Sequence, residues 1–134
     1  MRISFPKKLY HLSETNHNGK VFKPRVPSED SRMDGEDKVN KRICVAGSIV
    51  KALTAIEANL DDEYYVHVPA KYPTAMWRPT VDQVPDAAST HEIWIQEPVK
   101  MVCIGKLRVT SCPYYTRLYR WKWIEDTKEN IGEY

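Results

Sequence analysis

Residues 42–60 read RICVAGSIVKALTAIEANL, a short apolar run that passes through Gly47 into a helical pattern. The apolar run over 43–46, with the β-branched residues Ile43 and Val45, predicts a strand, and Gly47 allows the chain to turn. Ser48 then suits a helix N-cap, because its hydroxyl accepts a free backbone N–H. Four apolar residues follow at helical spacing on one face: Ile49, Leu53, Ile56 and Leu60. The stretch predicts a strand that turns directly into the main helix.

Short strand patterns surround this junction on both sides. They lie at 8–12, 64–68, 91–96 and 99–109, and the last is apolar on both faces, which is typical of a central strand. Irregular connections separate them at 28–41 and 70–89. One helix among five to seven short strands predicts an α+β fold.

Length and composition narrow the class of protein. The chain has 134 residues, a length that predicts a single domain over 1–134. Its net charge of +2 neither demands nor excludes nucleic acid as a partner. No apolar run approaches the roughly 20 residues of a membrane helix, and the start lacks a signal-peptide pattern, so we expect no membrane contact. Three widely spaced cysteines, Cys44, Cys103 and Cys112, suit a reducing environment, and we expect a cytoplasmic protein.

Several site chemistries are excluded by their missing motifs. The five glycines do not cluster into a phosphate-binding loop. His91-Glu92 lacks the second histidine of a zinc protease, and no serine sits in a nucleophile elbow. In the calcium-loop pattern that starts at Asp30, Arg32 and Lys41 replace two oxygen ligands. The sequence therefore predicts no metal site.

Four polar residues remain as site candidates. His11 ends a strand before a polar turn, where side chains often meet ligands, although a structural histidine fits there too. Arg25, between Pro24 and Pro27, and Arg42, at the start of a strand, are candidate anion contacts or else form salt bridges. Glu92 lies on an otherwise apolar strand. It could serve in catalysis if it is partly desolvated, or face solvent on the wet side of the sheet.

The aromatic stretch near the C-terminus has two interpretations. Aromatic residues alternate with basic ones over 114–124, as in a platform for single-stranded nucleic acid. A closing strand with an aromatic inner face predicts the same pattern. Because the chain has no excess of positive charge elsewhere, we favour the closing strand and expect no nucleic-acid partner.

The order of elements also resembles a known family. The path runs from Tyr10-His11 through the 42–52 junction to Tyr65-Val66-His67-Val68-Pro69, and ends with the 90–99 segment and the run to Gly105. It is similar to the small rifampin ADP-ribosyltransferases, and to small proteins common in bacteriophages and mobile elements. The resemblance covers about 9–109, which leaves 110–124 as the closing strand and 125–134 as a solvated tail.

The resemblance implies a small, split and twisted β core with one main helix, and NAD as the cofactor. It implies that His11 holds a ribose hydroxyl. The family's acid falls near Met76 and Trp77, where this chain has none, so Glu92 is the candidate to replace it. RNA 2′-phosphotransferases share the fold and grip phosphate with arginines and a histidine. The residues proposed to bind the nucleotide are Tyr10, His11, Arg25, Arg42, Ser48 and Tyr65, with His11 and Glu92 as the catalytic pair.

A second hypothesis needs no catalysis. The same scaffold could be an interaction module that binds or inhibits a host protein. The acidic loop over 28–37 and the aromatic and basic stretch over 114–124 would then form the contact surfaces. An exposed Trp77 would be an anchor, because tryptophan is enriched at interface hot spots.

Overall fold

The computed structural model describes residues 5–27, 37, 39–80, 82–83, 92–113 and 118–126. In this part of the chain β-structure dominates and a single short helix is present, so the fold is broadly α+β, as predicted. The elements, in chain order, are β1 (His11–Ser13), β2 (Val21–Phe22), β3 (Ile43–Val45), α1 (Ile49–Ala55), β4 (Glu63–Pro69), β5 (Met76–Trp77), β6 (Ile93–Ile95), β7 (Val99–Ser111) and β8 (Arg120–Asp126).

The strands form two antiparallel sheets. The large sheet has the order β1-β4-β7-β2, and β8 pairs with the C-terminal half of β7 beside β2. The small sheet has the order β3-β6-β5. The helix α1 packs against the large sheet as part of a first core, whereas the small sheet and the start of β7 enclose a second core.

A bulge at Gly105 lets β7 contribute to both cores. Before the bulge, Val99 and Met101 point into the second core; after it, Leu107 and Val109 point into the first. The register against β4 shifts at this point, because Val66 pairs with Gly105 while His67 pairs with Cys103. A Cβ at position 105 would lie 2.6 Å from the carbonyl oxygen of Glu125, so only glycine fits.

The helix is shorter than its apolar pattern predicts. It ends at Ala55, and Glu57 adopts a left-handed backbone with a φ of 51°. The chain therefore leaves the helical path before Leu60, and Ile56 and Leu60 are about two-fifths exposed while Ala58 enters the first core instead. The expected apolar face was wrong beyond Leu53.

The closing-strand interpretation of the C-terminal aromatics is confirmed for the described residues. β8 pairs with β7, and three aromatic side chains pack against the first core: Tyr119, Trp121 and Trp123. Residues 28–36 and 38 of the predicted loop over 28–41 lie outside the described residues, as do residues 127–134 of the predicted tail over 125–134. The tail prediction was wrong for Glu125 and Asp126, which belong to β8. No helix in the described part of the chain is long and apolar enough to cross a membrane.

Candidate functional site at the junction of the two sheets

The two sheets meet along the free edge of β3. At one end of this edge Tyr10 and Ala46 exchange backbone hydrogen bonds of 2.8 and 3.0 Å, and at the other end Arg25 and Arg42 exchange bonds of 3.1 and 2.9 Å. Cys44 lies between the two bridges. The edge therefore brings together four of the residues predicted from sequence: Tyr10, His11, Arg25 and Arg42.

His11 fills the gap between the bridges. Its Nδ1 lies 3.1 Å from the carbonyl oxygen of Cys44. Because a carbonyl oxygen only accepts hydrogen bonds, Nδ1 carries the proton and Nε2 keeps its lone pair. Burial lowers the pKa of His11, and the neighbouring His17 and Arg25 lower it further, against the opposing effect of the Cys44 carbonyl. At neutral pH the ring is a half-buried, uncharged hydrogen-bond acceptor.

Three further rings surround His11 and complete what we call the histidine cluster: His17, Phe22 and His67. Phe22 meets the His11 and His17 rings edge-on, with centroids 5.1 and 5.4 Å apart. His67 lies opposite His11 in the β1–β4 register, with ring centroids 6.2 Å apart. Sequence reasoning missed both His17 and His67, since neither carries a motif.

His67 is fully buried in the wall of this cluster. Its Nε2 accepts the backbone N–H of His17 at 2.9 Å. The ring is therefore neutral, with its proton on Nδ1, and Nδ1 has no hydrogen-bond partner among the described residues. Burial lowers the pKa of His67 to about 4, and the nearby His11 and His17 contribute to the shift.

Arg42 and Glu92 belong to a polar group on the outer face of the small sheet. The Arg42 guanidinium stacks 4.3 Å from the centre of the Trp94 ring and donates to the carbonyl oxygens of Asp37 and Asn40, both at 2.9 Å. The Trp94 indole in turn donates to Glu92 at 3.0 Å. Arg42 is only 2% exposed, so in this structure its charge links the small sheet to Asp37 and Asn40.

Glu92 and His11 approach Cys44 from two directions. His11 contacts the main-chain carbonyl, while the Glu92 carboxylate lies beside the thiol. Burial raises the pKa of this thiol, and the charge of Glu92 raises it further while Arg42 opposes the shift. The predicted catalytic pair therefore shares one neighbour at the middle of β3.

The other predicted nucleotide-binding residues lie away from the His11 ring. The Tyr10 side chain is buried in the first core. Tyr65 lies on β4 opposite Ser13, with the Lys106 ammonium 4.9 Å from its ring centre. The Ser48 hydroxyl accepts the backbone N–H of Lys51 at 3.1 Å and caps α1.

We expect Ser48→Ala to lower the free energy of unfolding by about 1 kcal/mol, because one N–H of the first helical turn loses its acceptor. Chemical denaturation followed by circular dichroism measures this change. Ser48→Asp is the matched control, since aspartate is an equally good cap and retains the stability. Equal stability of the alanine variant and the native chain would show that the cap contributes nothing.

The donor set does not suit a metal. In the described ranges, no group of three or more histidine, cysteine, aspartate and glutamate side chains is arranged to hold an ion. The three histidines of the cluster are instead used for ring packing and for the hydrogen bonds described above.

No protein-family model, no curated protein and no solved structure matches the chain.

Proposed function

We propose that the chain binds an NAD-type nucleotide beside His11 and Arg25, at the junction of the two sheets. The observation that carries the proposal is that both residues lie along the free edge of β3, His11 at Cys44 and Arg25 at Arg42. Arg25 is exposed, and its positive charge is close enough to lower the pKa of His11. A cation next to a neutral hydrogen-bond acceptor matches the phosphate and hydroxyl groups of a nucleotide.

The two side chains differ in what they offer such a ligand. An arginine guanidinium binds phosphate through paired, charge-assisted hydrogen bonds. The Nε2 lone pair of His11 suits a ribose hydroxyl, because its Nδ1 proton is already donated to the Cys44 carbonyl. The lowered pKa of His11 keeps this acceptor available at neutral pH. The resemblance to ADP-ribosyltransferases implies the same role for His11.

Transfer of the ADP-ribosyl group is the finer part of the proposal. Cleavage of the nicotinamide bond develops positive charge on the ribose, and a fixed carboxylate nearby stabilises that charge. Glu92 is the candidate for this role because its carboxylate lies beside Cys44, the residue that His11 also contacts. The indole N–H of Trp94 holds the Glu92 carboxylate in place.

Binding is tested by calorimetric titration and thermal shift with NAD and with ADP-ribose. We expect His11→Ala and Arg25→Ala each to weaken the affinity at least tenfold, because each removes a direct contact to the ligand. Lys122→Ala is the matched control, since it removes an exposed cation on β8, a strand that does not border this junction. Absence of binding to the native chain at millimolar nucleotide would overturn the proposal, as would unchanged affinity in both site variants.

Transfer is tested separately by release of nicotinamide. Glu92→Gln should abolish release and leave NAD affinity within about threefold, because it removes the charge that acts on the transition state. Glutamine suits this test because its amide oxygen still accepts the Trp94 indole N–H. If the native chain binds NAD without releasing nicotinamide, binding stands and transfer is refuted.

One observation favours the alternative interaction module. Trp77 is 48% exposed on β5, an edge strand of the small sheet, and its indole is held by Gln83. A fixed, half-exposed tryptophan suits an anchor for a protein partner. If no nucleotide binds, the binding partner is to be sought at Trp77.

A further inference from the structure

The segment between β1 and β2 is hydrogen-bonded to the large sheet at four consecutive residues, from His17 to Lys20, whose carbonyl oxygen accepts the Met101 N–H at 2.9 Å. His17 donates its backbone N–H to His67, and the Asn18 side chain accepts the N–H of Cys103 at 2.9 Å. Gly19 donates its N–H to the carbonyl oxygen of Met101 at 2.8 Å. Only the bond to His67 depends on a group that titrates. The segment supplies the His17 ring, which packs against Phe22 and His67, so its attachment helps to close the histidine cluster.

The bond to His67 exists only while the imidazole is neutral. Nε2 accepts a hydrogen bond in this state, but a second proton on the ring would turn it into a donor facing the His17 N–H. Two buried donors facing each other cannot bond, and each loses its contact with water.

Burial is the largest effect that opposes this second proton, and the charges of His11 on β1 and His17 in the segment oppose it as well. The backbone of His11 and of Tyr65 favours the proton but does not outweigh these effects, and Cys103 pairs with His67 from β7. Arg25 acts on the cluster through His11, and Phe22 contributes no charge. Burial and the neighbouring histidines therefore keep the ring neutral as long as the segment is attached.

We propose that the hydrogen bond between the His17 N–H and His67 attaches the 14–20 segment in a pH-dependent manner, and that protonation of His67 releases this segment from the histidine cluster. The proton comes from solvent when the segment opens and the ring becomes hydrated. Release removes the His17 ring from the cluster and uncovers His11. The release itself is independent of nucleotide binding, whereas its effect on nucleotide affinity rests on the proposed function.

Linkage gives the size of the effect. In the open segment the ring titrates near its ordinary pKa of about 6.5, whereas in the attached segment the pKa is about 4. Between these two values the opening constant therefore increases about tenfold for each unit by which the pH falls. We expect hydrogen-exchange protection of the His17 amide to fall by the same factor, once corrected for the intrinsic exchange rate at each pH.

Amide exchange by NMR on the full chain between pH 7 and pH 5 tests this, and no nucleotide is needed. His67→Gln is the decisive variant, because a glutamine oxygen accepts the His17 N–H without titrating in this range. We expect the protection of the His17 amide in this variant to be independent of pH. Asn18→Ala is the matched control, since it removes the adjacent hydrogen bond from the Cys103 N–H and leaves the pH dependence of His17 protection. The Leu53 amide in α1 is the reference for global unfolding and should remain better protected than His17.

Two outcomes would overturn the proposal. One is His17 protection that is independent of pH in the native chain. The other is the same pH dependence in the His67→Gln variant, which would assign the effect to a different group. Because the readout involves no ligand, a failure here leaves the nucleotide-binding proposal untouched, and the reverse also holds.

Discussion

Replacing Trp94 with alanine is expected to lower the free energy of unfolding by about 4 kcal/mol. The side chain is fully buried in β6 and lies beneath the Arg42 guanidinium. Truncation leaves a cavity the size of an indole, and it also removes the ring that covers a buried charge and the donor held by Glu92. Urea denaturation followed by far-UV circular dichroism measures the loss.

Trp77→Ala is the matched control for this prediction. Trp77 pairs with Trp94 in the β5–β6 register, so both substitutions remove the same side chain from neighbouring strands. Trp77 is 48% exposed, however, and its loss should cost less than about 1 kcal/mol. Similar costs for the two variants would show that the Arg42–Trp94 stack does not stabilise the small sheet.

This stack changes how an Arg42 variant is to be interpreted. The sequence presents Arg42 as a candidate anion contact, and in the structure its guanidinium is buried and hydrogen-bonded to the carbonyl oxygens of Asp37 and Asn40. Replacing Arg42 would therefore destabilise the protein, and this loss of stability would appear before any loss of ligand binding. Arg25, which is exposed on the other side of the same backbone bridge, is the better probe of a nucleotide phosphate.

Local patterns predicted the elements that depend on local forces. The strand at 43–45, the turn at Gly47 and the Ser48 cap follow from residue type, because burial, backbone freedom and capping act within a few residues. The end of the helix did not follow from the sequence. The apolar spacing continues to Leu60, and only the left-handed backbone at Glu57 redirects the chain.

The site depends on pairings that a single sequence does not encode locally. The alternation in β4 places His67 on the face opposite to Val66, but it does not say which strand lies beside it. The β1–β4 register brings His67 to His11, and the Gly105 bulge then decides which face of β7 adjoins the cluster. His17 lies in a turn whose position is fixed only by these contacts.

Acidification from pH 7 to pH 5 is expected to lower the free energy of unfolding by about 2 kcal/mol through His67 alone. The pKa of His67 is about 4 in the folded protein, well below the ordinary 6.5 of an unfolded chain. Between these values the unfolded chain binds more protons, so the stability falls as the pH decreases. His11, whose pKa is also lowered, adds to the loss.

Between pH 7 and pH 5, the effect of the histidines on stability is separated from that of the carboxylates. Asp37, Glu63 and Glu97 also have lowered pKa values, so their stabilising effect is lost only below about pH 4.5. Urea denaturation at pH 7, 6 and 5 therefore reports on the histidines. The His67→Gln variant has no such group at position 67, and its stability should change by less than half as much over the same range. Because glutamine also alters the packing, the comparison uses the change with pH and not the absolute stability. An unaltered pH dependence in this variant would mean that His67 is not held neutral by the fold.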